Sequence, residues 1–189
     1  LYVMDAGGGV PRQVTRFPLD VGTFKVSPDG SKVAVSMEVF PDCGADLACT
    51  VKRLDARKAA PASGVVYDKL FVRHWDTWED GRHNRLFVAS TGTASGAKTA
   101  TLVDASIGSD GPGNVPSRPF GGNDEYTWAP DGSSIVFAMR RADRREAWST
   151  DFDLYQYRVD RKGKVLVNLT FDDRTDGKGA SPGPRGQNR

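Results

Sequence analysis

The sequence predicts an all-β protein, a partial β-propeller with about three four-stranded blades, and two observations lead to this class. Short runs rich in Val, Ile, Phe, Tyr and Thr alternate with turn residues along the chain, as strands do. An Asp-Gly dipeptide recurs with a spacing of 51 residues, at Asp29-Gly30, Asp80-Gly81 and Asp131-Gly132. Four strands repeated every ~40–50 residues are typical of propeller blades.

Each Asp-Gly dipeptide predicts a hairpin, because glycine tolerates positive φ and aspartate bonds the local backbone. A short apolar run follows each one, at residues 32–36, 85–89 and 134–138. A second element repeats in phase: Leu1-Tyr2 and Leu154-Tyr155 lie 153 residues apart, and segments 51–55 and 101–104 fall between them. No helical pattern of useful length appears, so we expect segment 51–55 to be a strand.

These signals divide the chain into units. We expect residues 1–23 to end a preceding blade and 173–189 to begin a further blade or form a disordered tail, with three blades between them at 24–70, 71–123 and 124–172. A β-sandwich, with turns every 8–12 residues, would not explain the constant spacing. A blade cannot bury both of its faces alone, so neighbours must stack on it, and we expect the remaining blades to come from a longer polypeptide.

The composition narrows the classes of function. The chain has 189 residues, 38% of them hydrophobic, and a net charge of +2, which indicates a soluble globular protein. Asp143 and Glu146 interrupt the densest run of arginines, so no nucleic-acid partner is expected. No apolar stretch approaches the ~18–20 residues of a membrane helix, so no membrane partner is expected.

The two cysteines, Cys43 and Cys49, leave two alternatives open. Their short separation suits a small loop closed by a disulfide, and two free buried thiols are the other possibility. A disulfide would indicate an oxidising compartment. Two cysteines are too few for a zinc site, and no metal or cofactor is expected.

Several segments resemble one family of enzymes. Val26-Ser27-Pro28-Asp29-Gly30 and Trp128-Ala129-Pro130-Asp131-Gly132 resemble the Trp-Ser-Pro-Asp-Gly motif of TolB-like propellers and of prolyl oligopeptidase family propellers. Segments 72–78, Val-Arg-His-Trp-Asp-Thr-Trp, and 147–155 look like strands of bacterial dipeptidyl peptidase V and related acylaminoacyl-peptidase-like enzymes. Residues 1–5 and 11–15 are similar to the early blades of those enzymes. The resemblance extends to about Thr170 and fades after Asp173.

The resemblance implies an N-terminal propeller joined to a C-terminal α/β-hydrolase domain with a Ser-Asp-His triad. The nucleophile of such a domain sits in a Gly-x-Ser-x-Gly elbow. Ser27 and Ser181 each precede a proline in a turn, which is not elbow geometry, and the only histidines are His74 and His83. We therefore expect no catalytic residue in this chain, which would be the non-catalytic propeller of a periplasmic or secreted serine exopeptidase.

In that family the propeller caps the active site, limits entry to short peptides and helps hold the amino terminus of the substrate. The expected partners are short peptides, the hydrolase domain and the remaining blades. The alternative is a TolB-like propeller that binds proteins without catalysis.

Five residues are candidates for contact with substrate. His74, Trp75, Asp76 and Trp78 form the densest polar–aromatic cluster and would line a pocket mouth, with Asp76 as an anchor for an ammonium group. The structural alternative is that the aromatic rings pack between blades while His74 and Asp76 bond within the sheet. Glu125 precedes a first strand and would point toward the central channel.

Overall fold

The computed structural model describes residues 1–62, 64–68, 70–92, 96–103, 113–140, 146–148, 150–159 and 166–170. The chain is mostly strand with little helix, so the all-β class is confirmed. The elements in chain order are β1 (Tyr2–Val3), β2 (Arg12–Gln13), β3 (Phe24–Val26), β4 (Lys32–Val39), α1 (Leu47–Ala59), β5 (Arg73–His74), β6 (Thr77–Trp78), β7 (His83–Ser90), β8 (Thr101–Leu102), β9 (Tyr126–Trp128), β10 (Ser134–Met139), β11 (Asp153–Arg158) and β12 (Leu166–Asn168).

The strands form antiparallel sheets. The first sheet has the order β3-β4-β7-β8 and the second sheet has the order β9-β10-β11-β12. Two short hairpins, β1-β2 and β5-β6, form two-stranded sheets. Among the described residues, short 3₁₀ helices at Pro41–Cys43, Asn123–Glu125 and Glu146–Trp148 lie in the connections.

Two of the three predicted Asp-Gly hairpins form as expected. Asp29-Gly30 joins β3 to β4, and Asp131-Gly132 joins β9 to β10. Gly30 has a φ of 71° and Gly132 a φ of 68°, so both turns use the left-handed region that favours glycine. The N–H of Ser27 donates to Lys32 O at 2.9 Å, and the N–H of Ala129 donates to Ser134 O at 2.9 Å. The first hairpins of the two sheets are therefore equivalent.

The middle Asp-Gly dipeptide has a different role, and the prediction of a separate sheet for residues 71–123 is wrong for the described residues. Gly81 does turn the chain, with a φ of 80°, but the following strand β7 pairs with β4 along its whole length. The predicted units 24–70 and 71–123 therefore share the first sheet. An Asp-Gly turn sets local backbone geometry and carries no information about which strand the next one will meet.

The expectation of a strand at 51–55 is also wrong, since these residues lie in α1. The side chain of Asp46 caps the helix by accepting a hydrogen bond from the N–H of Cys49 at 3.1 Å. Arg57 and Lys58 in the last turn complement the helix dipole. Only Leu47 and Thr50 are buried, so the helix lacks the broad apolar stripe that a pattern search detects.

The first sheet is covered on both faces. On one face, side chains such as Ala34 and Leu86 share a core with Tyr126, Ile135 and Phe137 of the second sheet. On the other face lies a second core, in which the N-terminal segment packs on the strands; it contains Val33, Val35, Met37, Phe87, Leu1, Phe17, Leu19 and Val21. Successive residues of a strand point to opposite faces, so one strand contributes to both cores.

The first strands of the two sheets are neighbours. The hydroxyl of Tyr126 lies 3.0 Å from the hydroxyl of Thr23, and the indole N–H of Trp128 donates to Lys25 O at 3.0 Å. The Lys25 ammonium lies 5.6 Å from the centre of the Tyr126 ring. The described residues form no closed ring, and none of their helices has the length and hydropathy to cross a membrane.

The Tyr126 hydroxyl provides a test of the contact between the sheets. We expect Tyr126→Phe to lower the free energy of unfolding by about 1 kcal/mol, because a partly buried hydrogen bond with Thr23 is lost while the packing is kept. Urea unfolding measures the change. Tyr2→Phe is the control: the Tyr2 side chain is 67% exposed, and we expect a change below about 0.5 kcal/mol. Equal effects of the two substitutions would contradict the assigned contact.

The Asp29 turn predicts a dependence of stability on pH. The pKa of Asp29 lies well below its ordinary value of 3.8, first because the Ser27 hydroxyl donates to the carboxylate and then because Ser31 does. A lowered folded-state pKa stabilises the fold above the ordinary pKa, and this contribution is lost as the pH falls below it. We expect the stability difference between the native chain and Asp29→Asn to be larger at about pH 7 than at about pH 3 in urea unfolding.

Asp131→Asn serves as the comparison for Asp29→Asn. The carboxylate of Asp131 accepts from Ser133 but has Ala129 where Asp29 has Ser27. Its pKa is also lowered, so we expect a pH-dependent difference of the same sign and smaller size. A difference that does not vary with pH in either variant would show that these carboxylates do not stabilise the turns.

Candidate functional site

The connection between β4 and β7 carries most of the predicted site. It runs from residue 40 to 82, whereas the equivalent connection between β10 and β11 runs only from 140 to 152. We call residues 40–82 the long connection. It contains α1, both cysteines and the β5-β6 hairpin, and therefore four of the five candidate residues. Long loops on a rigid scaffold are where binding residues concentrate.

The first half of the long connection is anchored at several points. Cys43 and Cys49 form a disulfide with a Cα–Cα distance of 5.6 Å, which ties the turn before α1 to the first turn of the helix. The guanidinium of Arg53 donates to both carboxylate oxygens of Asp42, at 2.8 and 2.5 Å. This bidentate pair lowers the pKa of Asp42 below its usual range.

Phe40 is the contact between α1 and the end of β4. Its ring is buried, and the guanidinium carbons of Arg53 and Arg57 each lie 4.6 Å from the ring centre. Arg57 also donates to Asp80 O at 2.5 Å, next to the start of β7. Cation–π contacts of this kind and the disulfide together hold α1 in one position on the sheet.

Two predicted residues meet a residue that was not predicted. The rings of His74 and Trp75 stack with centres 5.1 Å apart, and Phe120 contacts them edge-on at 5.2 and 6.1 Å. We call these three residues the aromatic cluster. Trp75 has a φ of 49°, which is unusual for a bulky side chain, at the turn of the β5-β6 hairpin. Trp75 and Phe120 are both 77% exposed, so the cluster is presented to solvent.

Trp78 lies on the opposite face of the same hairpin. It pairs with Arg73 across the strands, and the Arg73 guanidinium is 5.4 Å from its ring centre. Its ring also stacks on Tyr67 at 6.2 Å, and the Tyr67 hydroxyl donates to Glu79 O at 2.9 Å. His74 and Trp78 are thus not brought together, because cross-strand partners share a face and neighbours alternate.

The two predicted carboxylates have different surroundings. Asp76 is exposed beside Trp75 at the hairpin turn and makes no hydrogen bond or ion pair with the described residues. Glu125, immediately before β9, accepts hydrogen bonds from the N–H and the hydroxyl of Ser117, at 2.6 and 2.7 Å. Glu125 therefore holds the loop that leads to Phe120, whereas Asp76 is exposed at the hairpin turn.

An ion-pair network that the sequence analysis did not predict includes Arg118, two residues from Phe120 in the chain. Arg118 contacts Glu38 and reaches Glu79 at 3.4 Å. Arg82 bonds Glu38 at 3.0 Å and Asp80 at 2.6 Å. Burial lowers the pKa of Arg118. The network joins the end of β4 and the start of β7 to the connection between β8 and β9. Its members lie far apart in the sequence, so no local sequence pattern predicts it.

A cavity of about 490 Å³ lies beside this network. We call it the α1 cavity, since one wall is the helix. It is lined by Pro18, Leu19, Asp20, Gly22, Ser36, Glu38, Val51, Leu54, Asp55, Lys58, Arg82 and Asn84.

Within the described parts of the chain, no group of three or more His, Cys, Asp or Glu side chains is arranged to hold a metal ion.

Glu125 provides a test of how the loop that leads to Phe120 is held in place. We expect Glu125→Gln to lower the free energy of unfolding by about 1 to 2 kcal/mol, because a charged acceptor of two hydrogen bonds from Ser117 is lost. Chemical unfolding measures the change. The exposed neighbour gives a control, Asp124→Asn, for which we expect less than about 0.5 kcal/mol. An unchanged stability of the Glu125 variant would instead favour a free carboxylate aimed at a ligand.

The chain is similar in sequence to known peptidases. It is 33% identical over 118 residues to the "Probable dipeptidyl-peptidase 5" of Aspergillus niger, which covers 57% of this chain. It is 34% identical over 91 residues to the dipeptidyl-peptidase 5 of Trichophyton equinum, covering 45% of the chain, and 29% identical over 99 residues to that of Porphyromonas gingivalis, covering 52%. No protein-family model matches the chain.

These similarities have a limited extent. The chain spans 15%, 12% and 14% of the lengths of the three relatives, so only a small part of each relative is compared. About half of this chain is nonetheless related in sequence to proteins named dipeptidyl-peptidase 5. The matches support a dipeptidyl-peptidase-like family for the region of the chain that they cover.

Proposed function

We propose that this chain is the non-catalytic propeller portion of a serine exopeptidase of the dipeptidyl-peptidase 5 type, within the prolyl oligopeptidase family. The observation that carries the proposal is the pair of stacked four-stranded sheets with neighbouring first strands. The similarity to dipeptidyl-peptidase 5 proteins over about half of the chain supports it. The disulfide Cys43–Cys49 is consistent with a periplasmic or secreted enzyme.

Catalysis in the complete enzyme belongs to an α/β-hydrolase domain outside this chain. There, the catalytic histidine takes the proton of the serine hydroxyl while the serine oxygen bonds to the carbonyl carbon of the second residue of the substrate, and the peptide C–N bond then breaks. The leaving nitrogen takes a proton from the catalytic histidine, and water then hydrolyses the ester. The propeller covers this site and limits entry to short peptides.

The role of the long connection is to receive the amino end of a peptide. An ammonium group is bound well by a carboxylate and by the face of an aromatic ring. Asp76 and Trp75 present both groups side by side on an exposed turn, and Phe120 supports Trp75 from the connection between the sheets. Exposed aromatic residues held in place by their neighbours are typical of contact surfaces.

Kinetics of the full-length enzyme test this role. We expect Trp75→Ala and Asp76→Asn each to raise KM for dipeptidyl substrates by about tenfold while kcat changes little, because contacts with the substrate are lost and the catalytic groups are untouched. Trp148→Ala is the matched control, since Trp148 is also an exposed tryptophan, at 69%, and lies outside the long connection. Equal KM values for Trp75→Ala and the native enzyme would contradict the role.

Labelling with a fluorophosphonate tests the enzyme class. We expect the full-length polypeptide to be labelled at a serine outside residues 1–189, with loss of dipeptidyl-peptidase activity. The Trp75→Ala variant should label at the native rate, because its hydrolase domain is intact. Absence of labelling, together with retained binding of a protein partner, would favour the TolB-like binding module instead.

A further inference from the structure

The aromatic cluster depends on one residue that the β5-β6 hairpin does not supply. Phe120 contacts the rings of His74 and Trp75 edge-on, with ring centres 5.2 and 6.1 Å apart, although Phe120 itself is exposed. An exposed ring has few packing contacts of its own, so its position depends on how firmly the backbone that carries it is held. The supports of that backbone therefore decide whether the cluster keeps its shape.

The backbone that carries Phe120 is a closed turn, residues 117–121, which we call the Phe120 turn. The N–H of Gly121 donates to Ser117 O at 3.0 Å and closes the turn. A side chain at Gly121 would collide with the backbone N and O of Ser117, so glycine is needed for this close approach. Glu125 accepts two hydrogen bonds from Ser117, as described above. The turn is therefore held at its first and last residues.

Arg118 fixes the same turn to the first sheet. Its guanidinium contacts the carboxylate of Glu38, near the end of β4, and donates to Glu79 and to Arg82 O, each at 3.4 Å. Only 22% of the Arg118 side chain is exposed, so salt screens these contacts less than those of a surface pair. Arg118 is the only charged residue of the Phe120 turn, and no other residue of the turn can make an ion pair.

Trp75 needs a support of this kind because its backbone conformation is unusual. Its φ of 49° lies in the left-handed region, which costs free energy for a residue with a bulky side chain. The ring contacts with His74 and Phe120 offset part of this cost. A displaced Phe120 would therefore leave Trp75 free to adopt other backbone conformations.

We infer that Arg118 is a positioning residue: bound to Glu38, it holds the Phe120 turn in place. The Phe120 ring then keeps Trp75 in the orientation that the aromatic cluster presents to a peptide. In this role Arg118 acts through Phe120 and makes no contact with the peptide. The effect on peptide binding rests on the proposed function, whereas the effect on Trp75 can be measured without any substrate.

Fluorine NMR of the full-length polypeptide, labelled with fluorotryptophan, tests the effect on Trp75. The resonance that disappears in Trp75→Phe belongs to Trp75, and the one that disappears in Trp128→Phe belongs to Trp128. We expect Arg118→Met and Phe120→Ala to shift the Trp75 resonance in the same direction, because each removes the Phe120 ring from its side. The Trp128 resonance should not move, since Trp128 lies in the contact between the sheets.

Two further variants make this measurement decisive. Arg53→Met is the matched control, because Arg53 also forms an ion pair in the long connection but bonds Asp42, and we expect a native Trp75 resonance. Arg118→Lys keeps the charge and loses the planar fork, so we expect a smaller shift than in Arg118→Met. A native Trp75 resonance in Arg118→Met would overturn the inference. If Arg118→Met also moves the Trp128 resonance, Arg118→Lys replaces it in the test, with the same criterion.

Kinetics of the full-length enzyme test the effect on peptide binding. We expect Phe120→Ala and Arg118→Met each to raise KM for dipeptidyl substrates by about threefold or more with kcat little changed, and the double variant to raise KM no further than Phe120→Ala alone. Effects that multiply in the double variant would show that Arg118 does not act through Phe120 and would overturn the inference. A shifted Trp75 resonance with native KM in every variant would uphold the positioning of Trp75, while the proposed role of the aromatic cluster in binding peptides falls.

Discussion

The fold depends on one constraint: the first sheet has apolar side chains on both faces, and both sets must be covered. Along β4, Val33 and Val35 pack against the N-terminal segment, while Ala34 between them packs against the second sheet. A half-buried sheet would alternate apolar with polar residues, whereas a sheet buried on both sides has a nearly continuous apolar run, as β7 has from Leu86 to Ala89. Burial of apolar surface is the main favourable term in folding, so the order of layers follows from this strand pattern.

The same rule explains the relation between the two sheets. Their first strands are short, and side-chain bonds from Tyr126 and Trp128 join them in addition to the shared core. Sheets stacked face to face in this way can be repeated around an axis, with each sheet supplying the cover for the next. The outer face of the second sheet carries Leu154 and Val167, which remain 44% and 52% exposed, and is less polar than a solvent-facing surface would be.

Four of the five candidate residues lie in the long connection. The long connection has its own supports in the disulfide, the stacking on Phe40 and the ion-pair network. Arg118 and Glu125 then bring the connection between the sheets to the same place. Glu38 and Arg82 of this network also line the α1 cavity, and Arg118 lies two residues from Phe120 of the aromatic cluster.

The sequence by itself determined what short-range physics controls. The two Pro-Asp-Gly hairpins, the apolar runs of β4 and β10 and the all-β class all follow from propensity and turn geometry within a few residues. Only the tertiary structure decided that β4 pairs with β7 across the long connection, that segment 51–55 is helical, and that Trp75 meets Phe120 while Glu125 turns to Ser117. Each of these features depends on the path of the chain through the whole structure. Burial of the whole core sets that path, and no single stretch of sequence predicts it.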